Sequence, residues 1–153
     1  LTAFVLKWFG KDAAMLYLVS EAEFTVGRET QVFAESPLSP HYAAVFEDDG
    51  QTAYFYALDT RNEQPIAEAL HIYNVADVSD SHLPCQAQIC WHHNQEIAVL
   101  FINGYPHAAL DFAGRFGLNR SGFPEPAAGS IWQRALLEDG LVRRWYEEAA
   151  DPA

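Results

Sequence analysis

The pair Asn103-Gly104 constrains this chain more than any other feature, because it stands between two apolar runs, Ile97 to Ile102 and Tyr105 to Leu110. Asparagine followed by glycine adopts the positive φ values of a type I′ turn, whose twist matches that of paired strands. A two-residue loop there pairs Ile102 with Tyr105 and Phe101 with Pro106. Antiparallel counting then sets Leu100 against His107, Ala98 against Ala109 and Glu96 against Asp111. Pro106 has no N–H for a second neighbour, so its strand is expected at a sheet edge there. A further hairpin is predicted from residues 43–47 and 52–58 around Asp48-Asp49-Gly50, with Val45 facing Tyr54 and Phe46 facing Ala53.

Residues 86–92 alternate by polarity and lead through His93-Asn94-Gln95 into the same meander. Other strands are predicted near residues 2–8, 15–19, 31–34 and 71–75, while residues 67–72 fit either a strand or a short helical turn. Glycine and proline gather over residues 114–129, marking an irregular segment. After it, Ser130-Ile131-Trp132-Gln133 has the form of a capping box. Trp132, Ala135 and Leu136, then Val142, Trp145, Tyr146 and Ala149, recur at spacings of three and four. A helical tail over 130–149, broken or kinked at Gly140, follows. The expected fold class is α+β with β dominant: an antiparallel meander, as a curved sheet or partial barrel, with a C-terminal helical segment packed on it. Residues 1–153 form one domain in this reading, mainly β over 1–113.

With 153 residues, half of them hydrophobic, the chain is large enough to bury a core without disulfides or metals. Its formal charge is −12, and up to residue 114 fifteen acidic residues face four basic ones. Such a field repels phosphate backbones, which argues against a nucleic-acid partner and favours a basic protein. The apolar run over residues 1–9 is interrupted by Lys7 and is about half the length a bilayer requires. It has no basic stretch before it, so neither a membrane span nor a secretory leader is expected and the cytoplasm is the expected compartment. Cys85 and Cys90, five apart in one strand, point to opposite faces and read as free thiols, in keeping with a reducing compartment. Dinucleotide, phosphate-loop, zinc-protease and serine-hydrolase motifs are all missing from the sequence, and no cofactor is expected.

Four strings together carry a resemblance: Ala44-Val45-Phe46-Glu47-Asp48-Asp49-Gly50, Ala53-Tyr54-Phe55-Tyr56-Ala57-Leu58-Asp59, Ala69-Leu70-His71-Ile72-Tyr73-Asn74-Val75, and Ile102-Asn103-Gly104-Tyr105-Pro106-His107-Ala108. Over about residues 25–135 the chain resembles a bacterial family of unknown function, number 2251. The resemblance implies a small bacterial cytoplasmic protein and supplies no catalytic or binding residue.

Three function classes stay open, and a protein-binding module without catalytic activity ranks first. Tyrosines on the predicted strands, with carboxylates around them, form a candidate acidic and aromatic surface of Glu47, Asp48, Tyr54, Tyr56 and Asp59, suited to a basic partner. The alternatives are a small-ligand carrier in a curved sheet and a metal or acid–base enzyme. The enzyme reading rests on His93, Glu96, His107 and Asp111, which the hairpin register gathers at one end of the meander. Two carboxylates beside imidazoles have the chemistry to hold a divalent metal or to work as an acid/base pair. The adjacent pair His92-His93 is set aside as a joint ligand, since neighbouring strand residues face opposite ways.

Overall fold

The computed structural model describes residues 16–93 and 95–150, the last six as backbone only. The strand predicted near residues 2–8 lies outside them. Among the described residues there are ten strands: β1 (Leu16–Thr25), β2 (Thr30–Glu35), β3 (Tyr42–Asp48), β4 (Thr52–Asp59), β5 (Ile66–Asn74), β6 (Pro84–His92), β7 (Ile97–Ile102), β8 (Tyr105–Asp111), β9 (Phe116–Asn119) and β10 (Gln133–Leu136). One 3₁₀ turn, Val75–Asp77, precedes β6, and the helix α1 (Asp139–Ala150) closes the chain. The β-dominant α+β class holds, as two sheets and not a closed barrel. A six-stranded sheet runs β1-β6-β7-β8-β9-β10, and a four-stranded meander runs β2-β3-β4-β5. Every pairing is antiparallel except β9 with β10.

The inner faces of the two sheets share one core, built from Phe24, Phe46, Phe55, Leu70, Ile89, Trp91, Leu100 and Leu110 with several alanines between them. Small and large side chains alternate across the gap, as close packing of facing layers requires. At one end Phe112 stacks on Trp91 at 5.2 Å and meets Trp132 edge-on at 5.7 Å. The sheets approach closely where β9 passes β5: a Cβ on Gly117 would lie 2.9 Å from Leu70 Cδ2. A side chain there would have to displace the Leu70 methyl or the Glu68 carboxylate.

The outer face of the six-stranded sheet carries a second apolar cluster of Leu16, Cys90, Ile97, Val99, Phe101, Ala109 and Leu118. Leu137 and Val142 of the C-terminal segment complete it. Hence β7, an unbroken apolar run, is buried at all six positions, as expected of a strand covered on both sides. Cys85 and Cys90 are free and lie on opposite faces, with Cys85 against the inner core and Cys90 in the outer cluster.

Three expectations need correction. The first hairpin closes on Asp48 opposite Ala53, with residues 49–52 between them instead of two, so Val45 faces Tyr56 and Phe46 faces Phe55. Asp49 causes this, because its Oδ1 accepts from both Gln51 N and Thr52 N and so fixes the wider loop. The second hairpin forms the predicted turn, with Asn103 and Gly104 at φ 51° and 84°. A bulge after Phe101, however, sets Leu100 against Ala108 and Ile97 against Asp111. Pro106 lies beyond the stretch of β8 that pairs with β9, and its carbonyl instead accepts from Arg120 at 2.6 and 3.0 Å. Finally, the helical tail does not start at Ser130. Residues 133–136 form β10, and the Ser130 hydroxyl accepts from Trp132 N in a local turn. An extended backbone sends Arg134 inward to Glu68 at 3.0 Å, both side chains over nine-tenths buried, while Ala135 joins the outer cluster. Leaving that buried carboxylate unpaired would cost several kcal/mol, more than a capping box contributes. Gly140 falls in the first turn of α1, not at a break. Residues 67–72 are strand, within β5.

Candidate functional site

Alternation along β2 to β5 leaves one face of the four-stranded sheet outside the core, and register fixes what stands on it. Three cross-strand rows result: Gln31, Glu47, Tyr54 and His71; Phe33, Val45, Tyr56 and Ala69; Glu35, Ala43, Leu58 and Ile66. Phe33 is 50% and Ile66 54% exposed. Tyr54 and Tyr56 stack at 5.9 Å with planes 13° apart, and His71 meets Tyr54 edge-on at 5.5 Å. Phe123, 54% exposed, extends the face past β5, since its carbonyl accepts from His71 N and its ring lies 5.4 Å from the imidazole.

Glu47 is the fixed charge of this face. Its carboxylate accepts from Gln31 Nε2 at 2.6 Å and from the Tyr56 hydroxyl at 3.3 Å. Burial, and then the Glu47 charge, push the Tyr56 hydroxyl up to about 12. Glu35 is the second carboxylate in the rows, which hold no lysine or arginine. Aromatic faces bordered by carboxylates, with no competing cation, suit guanidinium or ammonium groups.

Of the five residues predicted for an acidic and aromatic surface, the fold brings Glu47, Tyr54 and Tyr56 together. Asp48 belongs to the inner phase of β3 and is fully buried. Its carboxylate accepts from Gly27 N at 2.8 Å, Gly50 N at 2.8 Å and the Tyr73 hydroxyl at 2.6 Å, tying two loops and β5 together. Asp59 is likewise off the open face, at the end of β4 beside Tyr42, where it pairs with Arg61 at 2.9 Å. Hydrogen bonds from that guanidinium hold the Asp59 carboxyl below its ordinary range. Sequence reasoning missed Phe33, Leu58, Ile66 and Phe123. The signal for Phe33 was present: in Gln31-Val32-Phe33-Ala34-Glu35 a large ring takes the phase of the two polar residues.

The predicted histidine and carboxylate cluster does not assemble. Because of the bulge, Asp111 stands opposite Ile97 on the outer face, where its carboxylate accepts from Gly114 N at 2.9 Å. Glu96 lies opposite Phe112 and accepts from Ser36 Oγ at 2.8 Å, between the sheets. His107, the extra residue of the bulge, turns into a cleft at the far end of the sandwich. His93 is exposed just past β6, with its ring 6.1 Å from Tyr17. Since His93 lies beyond the strand, alternation does not bind it, and its ring stacks on His92 at 5.4 Å. Among the described residues, no three His, Cys, Asp or Glu side chains are placed to hold a metal ion.

Residues 24–146 match a family described as an uncharacterized protein conserved in bacteria, DUF2251. The chain is 43% identical over 136 residues to an uncharacterized protein of Haemophilus influenzae, a match covering 88% of this chain and 84% of the relative. No solved structure matches it. No helix among the described residues is long and apolar enough to cross a membrane.

Proposed function

The chain belongs to the uncharacterised bacterial family DUF2251, a premise that brings no chemistry with it, and we propose that it is a protein-binding module whose open sheet face docks a basic segment of a partner protein. The observation that carries this reading is the pairing of Phe33, Tyr54, Tyr56 and Ile66 with Glu35 and Glu47 on a face that holds no lysine or arginine among the described residues. Aromatic anchors give such a contact its affinity, and the net charge of −12 speeds and orients the encounter with a basic surface.

The partner lies on the face and does not extend the sheet. At the β5 edge, His71 N already donates to Phe123 O, and Asn119 Nδ2 donates to His71 O at 2.9 Å. At the β2 edge, the Ser20 hydroxyl donates to Phe33 O at 2.6 Å. Strand addition requires open backbone groups, and these bonds occupy some of them at each edge.

Affinity capture from the source bacterium tests the proposal with two baits, the wild type and the double variant Phe33→Ser/Tyr56→Ser. The expected result is a basic protein retained by the wild type, released as salt rises, and lost by the double variant. A partner held equally by both baits, or no partner at low salt, would overturn it.

A further inference from the structure

A cleft of about 460 Å³ opens at the end of the sandwich where β1, β6, β7 and β8 of one sheet diverge from β5 of the other. That volume falls within the range of small-molecule sites, about 300–1,000 Å³. Its walls are apolar: Phe24, Ile72 and Ile102 reach it from the shared core, and Val26, Val78 and Leu83 from the loops. Core packing stops short here for a structural reason. Asp48 draws the 26–29 turn, the 49–51 loop and Tyr73 to itself, and residues 75–83 arch over the space that remains.

His107 is the polar group aimed into this cleft. The bulge in β8 releases it from sheet alternation, and its ring packs edge-on against Tyr105 at 5.5 Å. Among the described residues no hydrogen-bond partner meets either ring nitrogen. Burial first, then the charge of Arg120, lower its pKa to about 4, so at neutral pH the ring offers one donor and one acceptor. Arg120 itself is committed to the carbonyls of Pro106 and Leu137 and to Asp139. The Tyr73 hydroxyl is committed to Asp48. Asp80, the one charged residue on the lining among the described residues, is exposed and negative. Among the described residues a ligand anion would therefore find no cation, whereas an uncharged molecule would find an apolar wall and one neutral imidazole.

We propose that this cleft binds a small, uncharged, mostly apolar molecule carrying one hydroxyl or carbonyl group, which hydrogen-bonds to His107. The site is separate from the open sheet face and stands whether or not that face docks a protein.

N-Phenyl-1-naphthylamine, uncharged and fluorescent in apolar surroundings, is the probe. One equivalent is expected to bind saturably to the wild type and to slow the reaction of Cys85, which lines the cleft, with a thiol reagent. Val78→Trp, which fills the mouth from a loop, is expected to weaken binding by about tenfold or more, with the melting temperature preserved; Ser79→Trp serves if it is not. Phe33→Ser, on the other face, should leave probe binding unchanged. In competition, 1-naphthol should displace the probe at about three- to tenfold lower concentration than naphthalene, the worth of one net hydrogen bond. His107→Leu should abolish that difference. The absence of saturable binding, or binding that survives Val78→Trp and Ser79→Trp and is lost in Phe33→Ser, would overturn the proposal. A naphthol preference unchanged in His107→Leu would overturn the role of His107.

Discussion

The two sheets share one inner core and differ in what covers their outer faces. On the six-stranded sheet, Ile97, Val99 and Phe101 face outward and are buried beneath Leu137 and Val142. On the four-stranded sheet, Phe33, Tyr54, Tyr56 and Ile66 face outward, and among the described residues no second layer lies against them. An apolar side chain in the outward phase of a strand therefore has two meanings here. Under a covering segment it is core, and on the face left open among the described residues it is the surface we propose to bind a partner. The strands record the difference in their composition: β7 is apolar at every position, while β2 and β3 mix rings and aliphatics with Gln31, Glu35 and Glu47.

The largest expected effect breaks the comparison at one residue type. Phe101→Ala should cost about 3–5 kcal/mol, the usual loss for a phenylalanine in a closed core. Phe33→Ala should change stability by under about 1 kcal/mol, as substitutions at exposed positions do. Urea titration of both variants checks this, and equal losses would mean that the four-stranded sheet is covered after all.

Adjacent acidic residues give the next test. Asp48→Ala removes the acceptor of two backbone N–H groups and of the Tyr73 hydroxyl, leaving buried donors unsatisfied at about 1–3 kcal/mol each. A loss of about 3 kcal/mol or more is expected. Glu47→Ala, one residue away and facing outward, should fall within about 1 kcal/mol of the wild type. Chemical denaturation separates the two, and a tolerant Asp48→Ala would show that inward and outward phases have been exchanged along β3.

A smaller effect concerns pH. His107 has a folded-state pKa of about 4, below its ordinary 6.5. Between those values the unfolded chain binds a proton that the folded chain refuses, so stability falls as the pH drops from about 6.5 toward 4 and levels off below. The shift corresponds to at most about 3 kcal/mol. Asp49 and Asp59, both with lowered pKa values, also lose stability on acidification. The informative quantity is therefore the difference between the wild type and His107→Gln from pH 7.5 to 4.5. That difference should narrow as the pH falls; a constant difference would mean that His107 titrates normally.

The two hairpins show what the residues alone could and could not fix. In the first, Asp49 widened the loop and moved the register by two, which leaves every side chain on its predicted face. Glu47, Tyr54 and Tyr56 therefore stayed together as expected. In the second, a bulge moved the register by one, which flips the face of everything beyond it. That single residue separated Asp111 from Glu96 and sent His107 into the cleft. The extra residue is His107 of β8, and the stretch beyond it, Ala108-Ala109-Leu110, is apolar and buried on both faces, so no alternation of polarity marks the slip. The C-terminal segment went wrong for a different reason. Ser130-x-x-Gln133 is a local helix signal, but the partner that decides the matter, Glu68, lies 66 residues before Arg134.

The most direct test of the open-face account follows the partner onto the protein. In the complex with the captured basic protein, resonances of Val45, Tyr54 and Tyr56 should shift or broaden on titration, while those of Val99 and Phe101 stay in place. Perturbation confined to the six-stranded sheet and α1, with the Val45, Tyr54 and Tyr56 signals unmoved, would contradict it.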